Sequence, residues 1–306
     1  MAVSTFLESR AHKVMMFKTG AWRRWLVGRK LQRCIESPVF VVGAGRSGTT
    51  ALCEMLDRHS NILMARGEGP IVHRFGLLAY EHQFSKKAGY YQHNTALVGE
   101  TFRKSISSLC LDCVWGPRYR VGLLPSQAKI RDLRTSSKKP LKRWGVKAFP
   151  DEHSAAGLVW LYPNAKFIYI FRNGIDVVRS MSKFPSFKLM SFEEKCRFWG
   201  ERVFRYEYLR RHERAICVRF DNFVENSKEV CDRLFEHLAL PKETGPATLS
   251  SGTIFHPLDG PTQTANPKSV FAQREPAYTS WEAAERNTFK KLCGKAMDLL
   301  EYEIPF

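Results

Sequence analysis

The stretch Val41-Val-Gly-Ala-Gly-Arg-Ser-Gly-Thr-Thr50 constrains this chain more than any other. It closes a run that is apolar at nearly every position (residues 38–43, PVFVVG), the pattern of a strand buried on both faces of a parallel sheet. It opens a segment, residues 48–59, in which Leu52, Met55, Leu56 and His59 recur at i, i+3, i+4 and i+7, as in an amphipathic helix. A strand, a glycine-rich turn and a helix in that order aim backbone N–H groups at an anion. Which anion stays open at this level. Gly43, Gly45 and Gly48 satisfy G-x-G-x-x-G, and Glu68 lies 20 residues past Gly48, as in a Rossmann oxidoreductase that binds NAD(P) or flavin. Gly43 to Gly48 also satisfy G-x-x-x-x-G, but Thr49 stands where a P-loop has its Lys. The third reading is a phosphate cradle of neither kind.

The absent Lys counts against a kinase, because a triphosphate is normally held by that Lys and Mg²⁺. A phosphosulfate is less charged. Ser47, Thr49, Thr50, backbone amides and one Arg suffice to hold it without metal.

Beyond the turn, strand and helix patterns alternate. Strands are expected over residues 61–65, 143–149, 165–171 and 215–220. Helices are expected over residues 153–162, 174–184, 192–212, 222–239 and 281–300. Glu68 falls in a glycine-broken loop, residues 85–142 look irregular, and residues 241–280 read as loop. This alternation predicts an α/β class: a three-layer, doubly wound sandwich around a mainly parallel sheet, with ligands at the carboxyl ends of its strands. The expected organisation is a basic helical extension over residues 1–35 and one domain over residues 36–306, with a basic insertion or lid at about residues 85–142.

A second signature is Phe171-Arg-Asn-Gly-Ile-Asp-Val-Val-Arg-Ser180. Arg172 ends a strong strand pattern. Ser180 comes three after Val177 and four before Phe184, which puts it on their inward side. A strand-end Arg and an inward hydroxyl form a clamp for a second phosphate. Neither a dinucleotide oxidoreductase nor a kinase needs that pairing.

With G-A-G-R-S-G-T-T after a strand, Lys147-Ala-Phe-Pro150, and Tyr162 to Ser180 (YPNAKFIYIFRNGIDVVRS), the chain resembles the sulfotransferases that use 3′-phosphoadenosine-5′-phosphosulfate (PAPS). It is most similar to the branch holding the protein-tyrosine and carbohydrate enzymes. The resemblance covers residues 38–68 and 143–184 well and implies a P-loop NTPase-like sulfotransferase fold. It departs at Gly174, where the family usually has Pro, and at Ala148-Phe149-Pro150, where it usually has Thr-Pro after the Lys.

The resemblance also implies roles. Gly45, Arg46, Ser47, Gly48, Thr49 and Thr50 would bind the 5′-phosphosulfate, and Arg172 and Ser180 the 3′-phosphate. Arg46 and Lys147 would stabilise charge on the transferring group. The general base in that branch is a Glu shortly after the second strand. Glu68 is the only acid between Asp57 and Glu81, with His73 as the fallback base. Lys268 and Arg274 are candidates to close over the 3′-phosphate. PAPS is the expected co-substrate, no metal is expected, and the acceptor is an unidentified hydroxyl or amine compound.

Charge sharpens the choice of partner. The chain has 48 Lys+Arg against 30 Asp+Glu, a net charge of +18. Residues 10–33 hold +8 of this and residues 118–147 hold +9, so the rest of the chain is near neutral. A near-neutral body with two basic segments fits an anionic partner, including an anionic acceptor. A nucleic-acid binder would rest on this charge alone, with no recognition motif, so no specific nucleic acid is expected. The first segment also carries Trp22, Trp25 and Leu26, which makes it a candidate for peripheral membrane contact, although Gly20 interrupts its pattern. No apolar run reaches the roughly 18 residues of a membrane span and the N-terminus lacks a signal-peptide pattern, so a cytoplasmic setting is expected. Eight Cys fit that setting, and Cys110-x-x-Cys113 has no second pair with which to build a zinc site.

Overall fold

The computed structural model describes residues 30–84, 99–120, 141–244, 252–256, 260–264 and 276–306. Its centre is a five-stranded sheet of β1 (Pro38–Val42), β2 (Ile62–Glu68), β3 (Arg143–Lys147), β4 (Lys166–Phe171) and β5 (Ala215–Arg219). The strand order is β2-β3-β1-β4-β5 and every pairing is parallel. The α/β class and the parallel sheet are as the sequence predicts.

Parallel strands need crossovers, and helices supply them. They are α1 (Thr49–Arg58), α2 (Pro70–Phe84), α3 (Glu100–Arg120), α4 (Glu152–Leu161), α5 (Gly174–Ser182), α6 (Phe192–Arg205), α7 (Phe220–Glu225), α8 (Ser227–His237) and α9 (Ala283–Leu299). Period-two alternation sends Phe40, Val42, Leu63, Ala65, Trp144, Val146, Phe167 and Tyr169 to one face, against side chains of α2, α3 and α4. Val39, Val41, Met64, Ile168 and Ile170 take the other face, against α1, α7 and α8. A third apolar cluster joins α5, α6 and α9 and includes Ala44 of the glycine-rich turn. That cluster anchors the turn from the side.

Several boundaries differ from expectation. Glu68 is the last residue of β2 rather than part of a loop, and the segment after it is α2. Pro70 at the first helical position is a start signal, but Gly76 in mid-helix masks the pattern. The described part of the expected irregular insertion is the 21-residue α3. The expected helix over residues 192–212 stops at Arg205 and continues as a 3₁₀ turn, Glu207–Arg210. The one over residues 222–239 divides at Asn226, whose φ of −118° and ψ of 43° are not helical. A hairpin, β6 (Gly252–His256) and β7 (Gly260–Thr264), lies within the expected 241–280 loop.

Of the first basic segment, residues 10–29 lie outside the described residues, as do residues 121–140 of the second. Arg143 in the second segment is no surface charge. It is buried, and its guanidinium donates to the carbonyls of Leu238 at 2.6 Å and Asn164 at 3.0 Å, tying β3 to two distant turns. The eight cysteines are free, and Cys110 and Cys113 lie on α3. Among the described residues no helix is long and apolar enough to cross a membrane.

Gly76 and Gly157 let α2 and α4 cross in near backbone contact. A β-carbon on Gly157 would overlap the Gly76 carbonyl and lie 2.7 Å from the Tyr80 amide nitrogen. Gly157→Ala should therefore cost about 2 kcal/mol and lower the melting temperature by roughly 4–8 °C. Thermal denaturation checks this, and an unchanged melting temperature would show that the helices part freely.

Burial lowers the pKa of His73, His82, His212 and His237. The unfolded chain then binds protons at a pH where the folded chain does not. The stability tied to these neutral rings is present above the ordinary His pKa and is lost as pH falls through it. Melting temperatures should drop between about pH 7.5 and about pH 5.5. His82 stacks on Phe102 at 3.9 Å, with both ring nitrogens buried and without a hydrogen-bond partner among the described residues. His82→Phe should make the drop shallower.

Candidate active site

Four sequence motifs meet at the carboxyl ends of β1 to β4. The glycine-rich turn runs from β1 into α1. Gly48, the N-cap of α1, has φ of +94°, a left-handed conformation that favours glycine. It also leans on the ring of Phe220 so closely that any β-carbon would overlap that ring. No side chain caps α1 and its first turn holds no acid, so, among the described residues, the N–H groups of Gly48, Thr49 and Thr50 at the helix start are open to an anion. Ser47 is 1% exposed, and its Oγ is buried without a hydrogen-bond partner among the described residues. A buried, unsatisfied hydroxyl beside free helix amides fits an acceptor-rich ligand such as a phosphosulfate.

Arg46 has φ of +71°, which is uncommon outside glycine and costs about 1–3 kcal/mol. Its side chain is held on two sides. Nε donates to Ser180 Oγ at 3.3 Å, and the guanidinium lies 3.9 Å from the centre of the Phe184 ring. The first signature therefore touches the second directly.

Arg172 directly follows β4 and is buried. Its guanidinium stacks over Phe220, 4.5 Å from the ring centre, and donates to Asp176 Oδ2 at 2.9 Å. Phe220 is thus shared, since it supports Gly48 of the turn as well as Arg172. Arg172 Nε is buried and has no hydrogen-bond partner among the described residues. The structure brings the turn, Arg172 and Ser180 into one site. It does not join Arg172 to Ser180, because each has its own partner.

Lys147 ends β3, and its Nζ lies 2.8 Å from Glu68 Oε1. The β2–β3 register explains the meeting. Ala65 pairs with Val146, but Glu68 and not Arg66 pairs with Lys147. The two extra residues form a bulge with Gly67 at φ +77°, which re-aims the strand end. The Lys147 side chain is 11% exposed and that of Glu68 is 42% exposed, so the carboxylate faces the open side.

His73 takes no part in this site. Its Nδ1 lies 3.0 Å from Ser154 Oγ and its Nε2 3.9 Å from Asp151, the two residues of the capping box of α4. Lys268 and Arg274 lie outside the described residues. Among the described residues no cluster of three or more His, Cys, Asp or Glu could hold a metal. Sequence reading missed Asp176, Phe220 and the aromatic cover of the turn. Phe184 lies over Arg46, and Phe187 stands 3.2 Å from the β-carbon position of Gly45. Only Asp176 left a signal, four residues after Arg172 at the start of a helix.

A parallel sheet with a glycine-rich anion cradle at the end of its central strand defines a P-loop-like α/β protein. The sulfotransferase family matches residues 38–244, more than half of the chain, and the chain belongs to that family. Among solved structures it is similar to a sulfotransferase domain from the curacin biosynthetic pathway, at 18% identity over 88% of this chain and 99% of that one, with a TM-score of 0.46. A sulfotransferase domain of the Synechococcus PCC 7002 olefin synthase gives 17% identity over 88% and 96%, with a TM-score of 0.47. A mouse sulfotransferase complexed with PAP gives 13% identity over 88% and 90%, with a TM-score of 0.48. No curated protein matches the chain. Family membership displaces the oxidoreductase reading of Gly43, Gly45 and Gly48. The topology agrees: β3 lies between β1 and β2, whereas in the Rossmann strand order the second strand adjoins the first.

Proposed function

We propose that this sulfotransferase moves a sulfuryl group from PAPS to a hydroxyl or amine of an acceptor. One observation carries the reading. The anion cradle at Gly45–Thr50 and the arginine just past β4 share the Phe220 ring, and Arg46 ties the cradle to Ser180, close enough for one bisphosphorylated nucleotide.

PAPS, when bound, supplies the activated sulfuryl group and a phosphate leaving group. The N–H groups of Gly48, Thr49 and Thr50 and the Ser47 hydroxyl hold the phosphosulfate end, with Arg46 beside them. Arg172 and Ser180 hold the 3′-phosphate. Sulfuryl transfer is an in-line displacement at sulfur, so the chain's task is placement and charge stabilisation. Glu68 accepts the acceptor's proton at Oε1 or Oε2. Lys147, 2.8 Å from Glu68, orients that carboxylate and offers its ammonium to the oxygen that gains charge. A cytoplasmic setting, peripheral membrane contact through the N-terminal basic segment and an anionic acceptor belong to this reading as well.

Calorimetry with 3′-phosphoadenosine-5′-phosphate (PAP) beside ADP and NAD tests the donor class. PAP should bind best. Arg172→Ala should weaken it by about 10-fold or more, the loss of a charged hydrogen bond. Equal affinity for PAP and ADP in the unaltered protein would remove the 3′-phosphate from the site. Glu68→Gln should leave PAP affinity near its starting value and cut turnover about 10²-fold or more. Turnover that survives this change would assign the base elsewhere.

A further inference from the structure

Helix α6 crosses the gap between the anion cradle and the end of β3. At its middle, Phe198 stands 3.8 Å from the β-carbon position of Gly45. At its end, Arg205 donates to the Phe149 carbonyl at 3.4 Å and lies 3.8 Å from Asp151, just beyond Lys147. Arg202 sits four residues after Phe198 and three before Arg205, so it shares their face of the helix. Along the helix it falls between Phe198, beside the cradle, and Arg205, beside the segment that follows Lys147.

The surroundings of Arg202 are those of a binding group. Its guanidinium lies 5.1 Å from the centre of the Phe198 ring, and the residue is half-buried. Neighbouring arginines have carboxylate partners: Arg172 has Asp176, Arg197 has Glu193 and Arg205 has Asp151. Among the described residues Arg202 forms no ion pair. The buried phenol of Tyr206 is pushed up by burial, opposed by the charges of Arg202 and Arg205 and by hydrogen bonding to Arg202, and pushed further by Glu68. Arg202 and Glu68 thus act on one buried group from opposite signs.

We propose that Arg202 determines acceptor specificity. It pairs with an anionic group on the acceptor, whose framework lies on the Phe198 ring and whose hydroxyl faces Glu68. The acceptor class is a hydroxyl compound that also bears a carboxylate, phosphate or sulfate. This rests on the sulfuryl-transfer reading. The Arg202 charge also offsets the repulsion between such an acceptor and an anionic donor.

The test uses the full chain saturated with PAP and two matched probe pairs: 4-hydroxyphenylacetate with 4-hydroxyphenylacetamide, and glucuronate with glucose. Affinities are read by saturation-transfer NMR titration. The carboxylate member of at least one pair should bind about 10-fold or more tightly than its neutral partner. Arg202→Gln should erase that preference while PAP affinity holds. Arg202→Lys should keep part of it, since the charge remains but the planar stack on Phe198 is lost. Equal binding within both pairs, no binding by any probe, or a preference that survives Arg202→Gln overturns the proposal. If PAP itself fails to bind, the donor reading falls instead, which keeps the two failures distinct.

Discussion

The contact between Gly48 and the Phe220 ring fixes the geometry on which the rest of the site depends. Gly48 turns the chain into α1 with a backbone angle that disfavours a side chain, and it has no room for one. Phe220 starts α7 at the end of β5, two strands away from β1 in the sheet. Its other role, as the surface under the Arg172 guanidinium, couples the start of α1 to the end of β4. Moving either would separate the free amides of α1 from the buried arginine. Ala44 adds a lateral anchor by packing into the α5–α6–α9 cluster.

Much of the fold was legible because burial on both faces leaves a plain mark. β1 and β4 are short, largely apolar runs, and the alternation with helices gives a parallel sheet. The elements that escaped have mixed signals. α2 carries Gly76, which sequence rules count against a helix, yet that glycine is there to admit α4. α3 is a 21-residue helix in a stretch whose scattered Gly, Pro and basic residues read as irregular. Tertiary packing outweighed local propensity in both.

The site was legible to the extent that its parts lie on motifs. Gly45 to Thr50, Arg172 and Ser180 were marked by spacing and Lys147 by the family resemblance, and the fold brings them to one edge of the sheet. The partners were not marked. No pattern links Arg172 to Phe220 across the chain, or Glu68 to Lys147 through a bulge that shifts the register by two residues. Register is a property of two strands at once, so a single segment does not encode it. His73, attractive as a lone histidine near Glu68, proves to be committed to the start of α4.

The pairing of Arg172 with Asp176 has a thermodynamic consequence. The guanidinium already possesses a resident counter-ion, held at 2.9 Å on the next turn of chain. An anion arriving there exchanges one partner for another or shares the fork with it, so its affinity is a difference between two charge pairs and not the full strength of one. The same carboxylate is on hand when the anion departs. On the proposed reading, vacating this end of the site therefore leaves no naked buried charge, and the chain is spared a penalty that would otherwise slow discharge of a tightly held nucleotide.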